Sequence, residues 1–181
     1  MTRSKSQPTW MDVKLTLAPL DRAGLLGLIH DLYTATTENR HFLHARLRLG
    51  KDVLQPYKEA MDRWLWPDVL RNQDVSVAKA KRAIASYRKA VGDPAGMAEL
   101  LVFYCEQAAG FSSDLGYRDE GYLNALVAMF KQALVNVAKL PAAQRRIPYA
   151  RLDRTRQISH CIGYGVGDDM DSLFAKYGKS G

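Results

Sequence analysis

The residues with the most chemical capacity lie near the end of the chain. His160 and Cys161 are neighbours, and three carboxylates follow at Asp168, Asp169 and Asp171. A cysteine beside a histidine is raw material for a thiolate nucleophile, because the imidazole can take the thiol proton. On a helix, however, adjacent residues point about 100° apart, so each would need partners from elsewhere. The aspartates offer oxygen ligands of the kind Mg²⁺ and Ca²⁺ take, but the twelve-residue calcium-loop pattern is absent. Gly163, Gly165 and Gly167 alternate as in a phosphate-cradling loop. Such a loop follows a strand and keeps carboxylates away from the anion, and this one does neither. A chain reversal with an acid-rich helix start accounts for it better. His41 and His44 have the i, i+3 spacing of some metal sites, with no thiol or carboxylate completing a set. No Ser-His-Asp arrangement, paired-cysteine motif or zinc signature occurs. The sequence therefore assigns no catalytic residue, no cofactor and no metal ligand. It leans away from an enzyme, and a catalytic site around His160, Cys161 and the aspartates is kept only as an alternative.

Charge offers a different chemistry. The net charge is +7, and the excess sits in two segments. Residues 76–91 carry five basic residues and no acid, and residues 139–160 carry six basic and one acidic. Between them, residues 92–138 invert to two basic and six acidic. On a helical projection Lys81, Arg82, Arg88 and Lys89 fall on one arc about 120° wide, with the Lys81/Arg88 and Arg82/Lys89 pairs two turns apart. Together with Arg145, Arg146 and Arg156 they are the candidate nucleic-acid-binding residues. Four such cations would bind the phosphate backbone of duplex DNA with a log–log salt slope of roughly −3 to −4. No helix-turn-helix or base-stacking motif accompanies them, so backbone binding is favoured over sequence readout.

Helices must position all of these groups. Residues 119–140 read as the central one: Tyr122, Leu123, Leu126, Met129, Phe130, Ala133, Leu134 and Val137 belong to an apolar arc of roughly 220°, too wide for a surface helix. Asp119 caps its start and Pro141 ends it. Residues 1–18 are expected to be loosely ordered. Asp21 opens a helix with Leu25, Leu28, Ile29 and Leu32 on one face, and a second short helix covers 38–47. Asp52-x-x-Gln55 has the form of a capping box before a helix that ends at Trp66 ahead of Pro67. Ser76 caps residues 77–91, and Gly92-Asp93-Pro94 makes a tight turn into a helix over 94–109, so these two should form an αα-hairpin. Gly110 is expected to end that helix and 111–118 to be a loop. Residues 142–147 read as a connector, with Pro148 starting the next helix. Arg151 projects onto the apolar side of that helix and should be half-buried, so Arg151 or Arg154 is expected to pair with Asp168, Asp169 or Asp171.

The chain has 181 residues, enough to bury a core in one domain without disulfides, and Cys105 and Cys161 are expected to be buried or partly buried free thiols. No apolar run approaches a membrane span and no signal-peptide pattern opens the chain, so a cytoplasmic bacterial protein that avoids the membrane is the simplest expectation. The fold expected is all-α: about eight helices in antiparallel hairpins, a compact and somewhat solenoid-like array forming a single domain over 19–178.

Several stretches carry a likeness: Asp31-Leu32-Tyr33, Ser76-Val77-Ala78-Lys79 with Ala83-Ile84, Tyr117 to Leu134, and Gly163 to Asp169. With them the chain resembles an uncharacterised bacterial domain-of-unknown-function family of small helical proteins, over roughly residues 20–177. The resemblance implies an all-α cytoplasmic bacterial protein and brings no activity or functional residues. The function favoured is therefore a non-catalytic helical adaptor that binds an unknown protein partner or itself, with nucleic-acid backbone binding as the alternative.

Overall fold

The computed structural model describes residues 7–178. Among them nine α-helices occur and no strand: α1 (Trp10–Leu17), α2 (Arg22–Ala35), α3 (Thr37–Arg46), α4 (Gln55–Leu65), α5 (Val77–Ala90), α6 (Pro94–Leu115), α7 (Glu120–Val137), α8 (Ala142–Ser159) and α9 (Val166–Tyr177). A 3₁₀ turn, Val69–Arg71, joins α4 to α5. The chain divides into two compact units, Met1–Leu43 and His44–Gly181. Within the segment expected to be loosely ordered, Trp10–Leu17 form α1, which buries no residue. Thr9 caps α1 in a reciprocal capping box with Asp12, its amide donating to the Asp12 carboxylate at 2.7 Å. Residues 1–6 of that expectation lie outside the described part.

In the larger unit the centre is α6, not α7. It packs on α4, α5, α7 and α8, while α7 packs on α6, α8 and α9. The packing runs between consecutive helices and between helices two apart, α4 on α6, α6 on α8 and α7 on α9, so the array is not made of consecutive hairpins alone. The predicted α5–α6 hairpin is likewise only partial, since α5 lies chiefly against α4. Its turn is well fastened even so. Asp93 accepts the amide of Gly96 at 2.9 Å as the α6 cap, and its other oxygen accepts the Tyr87 hydroxyl. Leu100, Leu101, Tyr104, Leu126, Phe130 and Leu134 are almost wholly buried between α6 and its neighbours. The two-sided burial expected of residues 119–140 is observed.

Three local expectations are corrected. Asp52 accepts the amide of Leu54 at 2.8 Å and so closes a turn, leaving Leu54 as the N-cap of α4 and Gln55 bonded to Glu59. Residues 142–147 are helical and Pro148 lies inside α8. Only one amide is lost there, near the helix start, and the packing of α8 on α6 outweighs it. Gly110 does not end α6; the helix continues to Leu115 and stops at Gly116, whose φ of +66° is the left-handed stop. Gly110 serves a close approach: a Cβ there would stand 2.5 Å from the Trp66 ring. That ring packs edge-on to Phe111, which also meets Tyr117 and Tyr122. The Tyr122 hydroxyl donates to the buried carbonyl of Leu65 at 2.7 Å, tying α7 to the end of α4.

In a free helix Gly→Ala gains about 1 kcal/mol, but overpacking a core costs about 1–3 kcal/mol. Gly110→Ala is therefore expected to lower stability by about 1–2 kcal/mol in urea unfolding. A gain in stability would show instead that the Trp66 ring yields.

Candidate functional site

The seven predicted nucleic-acid-binding residues separate into two groups. Lys81, Arg82, Arg88 and Lys89 project from α5, and among the described residues none of them forms an ion pair. Arg82, Arg88 and Lys89 are exposed and Lys81 is half-buried. The fifth basic residue of α5, Lys79, is stacked on the half-buried Trp64 ring, 3.7 Å from its centroid, with Arg63 at 4.5 Å from the same ring. The other three candidates lie on α8. Arg146 is exposed, and Arg145 donates to the Leu140 carbonyl at 2.6 Å. Arg156 is not a free cation: it bonds Asp153 at 2.9 Å and Asp171. Helices α5 and α8 both pack on α6 but not substantially on each other, so the two basic segments do not merge through helix packing.

The arginine pairing also differs from expectation. Arg151 meets neither Asp168, Asp169 nor Asp171; its guanidinium bonds Glu106 through Nε at 2.8 Å and Nη2 at 2.6 Å, and Glu99 through Nη1. Lys58 joins Glu99 at 2.6 Å. Glu99 and Glu106 are seven residues apart, hence on one face of α6, and α8 lays Arg151 across both. Burial alone would raise the Glu99 carboxyl, but hydrogen bonds from Arg151 and Lys58 outweigh it and hold the group below its ordinary value. The bond to Glu106 chiefly holds Arg151 firmly protonated.

Near the C-terminus α8 and α9 are joined by charge. Arg156 bonds Asp171, and His160 Nε2 lies 3.3 Å from the same carboxylate oxygen. The Arg156 bond is the main cause holding the Asp171 carboxyl below its usual range. Gly167 lets this happen: a Cβ there would meet His160 Nδ1 at 2.5 Å, so only glycine admits the imidazole against the start of α9. Ligand atoms of His160, Asp168 and Asp171 lie within 4.8 Å of one another, so the glycine turn does bring His160 to the aspartates that the sequence placed in one candidate region. Arg156 already bonds Asp171 through Oδ1. The arrangement fits an ion-pair staple between the two helices better than a metal centre. Cys161 is exposed, against the expectation of burial, and makes no hydrogen bond to His160. Cys105 is buried, and its apolar surroundings push its thiol strongly up. The cleft beside the aspartates, lined by Glu120, Asn124, Tyr164 and Asp169, holds only about 200 Å³, below the ~300 Å³ at which ligand pockets begin.

The feature sequence reasoning passed over is the smaller unit. Helices α1 and α2 bury no residue. Of the 18 large apolar side chains exposed among the described residues, eleven lie between Trp10 and Phe42. Trp10 is 72 % exposed, Leu15 66 %, Leu26 55 % and Leu32 52 %. Local structure is nonetheless complete. Asp21 caps α2 through the Gly24 amide at 2.8 Å, and Asn39 donates to the Leu32 carbonyl at 2.7 Å, fastening α3 to the end of α2. Ile29, Leu32, Asn39, Phe42 and Leu43 line an apolar groove of about 280 Å³ between α2 and α3. The signal was in the sequence: the Leu25, Leu28, Ile29, Leu32 stripe was visible, but periodicity does not say whether a stripe meets its own chain.

No helix of the described residues is long and apolar enough to cross a membrane. No protein-family model matches this chain, and neither does any curated protein or solved structure.

Stability from Glu99 has a defined pH dependence. Its carboxyl is depressed on folding, so its contribution is full above the ordinary value of 4.5 and is lost as pH falls through the lower folded value. Glu99→Gln is expected to cost about 1–3 kcal/mol at pH 7. It should also flatten the fall in unfolding midpoint as pH drops below the ordinary carboxyl value of 4.5. An acid limb as steep as in the parent would show that Glu99 is not the group responsible.

Proposed function

We propose that this chain is a non-catalytic helical interaction protein that holds another protein through the apolar faces of α1, α2 and the adjoining part of α3. The observation that carries the reading is the concentration of exposed large apolar residues between Trp10 and Phe42, nine of the eleven in α1 and α2, which bury nothing. Helices of 8 and 14 residues are marginal alone in water. Their stability must come from packing, and soluble chains rarely leave contiguous apolar patches of this extent uncovered. The reading keeps the expectation of a cytoplasmic bacterial protein from the uncharacterised helical family that its motifs resemble.

A second reading, binding to a nucleic-acid backbone, is favoured by one observation: four cations on one arc of α5 have no carboxylate partner among the described residues. Its surface is α5 alone, since Arg156 is neutralised and Arg145 and Arg146 stand on a different helix.

The first reading is tested by capture from cells that make the protein naturally, comparing the tagged parent with Leu28→Glu/Leu32→Glu. Partners, further copies of the chain included, should be enriched on the parent and lost on the variant; identical sets on both would reject the arm as the binding surface. For the second, fluorescence anisotropy with duplex DNA should show a log–log salt slope of about −3 to −4 that vanishes when Lys81, Arg82, Arg88 and Lys89 become Ala. Affinity indifferent to salt or to these substitutions would remove it.

A further inference from the structure

We propose that the basic face of α5 continues past the end of the helix into Arg46 and Arg48, and that Lys81, Arg82, Arg88, Lys89 and these two arginines form one site for the phosphate backbone of a nucleic-acid duplex. This rests on the backbone-binding reading above, which takes its surface from α5 alone, and adds two residues that no helical projection of α5 could include.

The first observation is placement. The last turn of α3 belongs to the larger unit, and Ala45 is 2 % exposed in that unit's core. Arg46, next in the chain, donates from Nη1 to the Ala90 carbonyl at 3.1 Å, one residue beyond Lys89 at the end of α5. That bond uses one of the five guanidinium N–H donors and holds the group in place, while Arg46 stays exposed. A cation fixed in this way loses little freedom when an anion binds. Arg48 is also exposed, and its charge reaches α5. Burial and the Asp93 carboxylate push the Tyr87 hydroxyl up, and Arg48 acts against them. Asp93 itself is committed to the Gly96 amide and the Tyr87 hydroxyl. Neither arginine forms an ion pair among the described residues.

The second observation is conformational. The amide of Arg48 donates to the Ala45 carbonyl at 3.2 Å and that of Leu49 to the His44 carbonyl at 2.8 Å, the bond pair of a left-handed helix stop. Glycine is the usual residue at the position Arg48 holds, because a Cβ works against the left-handed backbone. Arg48 adopts it, with φ of +55°. Local stability favours glycine here, so an arginine with its charge in solvent serves binding, not folding.

The third is the chemistry of the occupant. From Lys81 to Ala90 the α5 axis rises about 13 Å, roughly four base-pair steps of a duplex, and Arg46 and Arg48 lengthen the row at one end. Leu47 and Leu49 are exposed beside the two arginines, which makes an anionic lipid surface the competing occupant. Along the α5 arc, however, only Ala78 and Ala85 stand between the cations, leaving no side chain to insert. Tyr87 is buried, and Lys79 and Arg63 stack on Trp64, so neither ring is open for the base stacking that holds single strands. A duplex gripped by its phosphates needs neither.

The test is fluorescence anisotropy of the full chain with duplex DNA and duplex RNA of one sequence, between about 50 and 200 mM salt, with urea unfolding beside it. Six contacts on duplex DNA should give a log–log slope of about −5, an affinity loss of about 10³-fold over that range. Arg48→Gly should make the slope shallower by about 0.9 while its urea midpoint is no lower than the parent's, which separates lost binding from lost folding. Arg46→Gln/Arg48→Gly should return the slope to about −3 to −4, a loss of about 10²-fold. Comparable behaviour with RNA would assign the site to duplexes in general, and a response to DNA alone would assign it to that duplex. A parent slope of about −3 to −4 that the double variant leaves unchanged overturns the extension and leaves the α5 reading standing. A parent that binds neither duplex at low salt removes both. Tighter binding to vesicles of phosphatidylserine and phosphatidylcholine than to either duplex, lost in the double variant, overturns the nucleic acid as occupant.

Discussion

Arg151 is the residue on which burial of the central helix depends. Helix α6 is apolar around most of its circumference, with residues as far apart as Met97 and Phe111 removed from water. Two carboxylates, Glu99 and Glu106, interrupt that surface on one face. Left unpaired and partly desolvated they would oppose the packing of α8 on α6. One guanidinium answers both, bidentate to Glu106 and with its remaining nitrogen on Glu99, while Lys58 from α4 reaches Glu99 from the other side. The pairing therefore also fixes the register of α8. With α8 in place, Arg156 and His160 are set where Asp171 can meet them, and α9 closes on α7.

The two units contrast in how their helices are stabilised. In residues 44–178 caps, aromatic contacts and ion pairs all serve a buried core. In residues 7–43 the caps are equally well made and the core is missing. Capping contributes about 1 kcal/mol per helix, which specifies where a helix starts but not what it packs against. An arm with defined ends and an uncovered apolar face has the physical character of half an interface. The same logic separates the basic residues: charge on a helix projection is common to Lys79, Lys81 and Arg156, yet Trp64 holds the first, a carboxylate pair holds the third, and only the second remains unpaired.

The helical class was legible residue by residue. Ser76, Asp93 and Asp119 cap the helices they were expected to cap, because an N-cap bond spans three residues and needs no other element. The apolar arc of residues 119–140 implied burial on two sides, and neighbours on more than one side are found. The misreadings share a cause. Gly110 and Pro148 are local helix breakers in general, but here Trp66 needs the glycine and the α6–α8 interface tolerates the proline. Both reasons lie in elements far along the chain.

What the sequence by itself determined is the set of properties carried by bonds of three or four residues: an all-α chain of about eight helices, most of their starts, and the segregation of positive charge into residues 76–91 and 139–160. Only the tertiary structure decided which helix is central, which carboxylates answer Arg151 and Arg156, and which apolar stripes are covered. Those outcomes depend on which faces meet, across 15 residues where Arg156 meets Asp171 and across 45 and 52 where Arg151 meets Glu106 and Glu99. Periodicity marks a face as apolar; packing alone settles whether anything of the same chain lies against it.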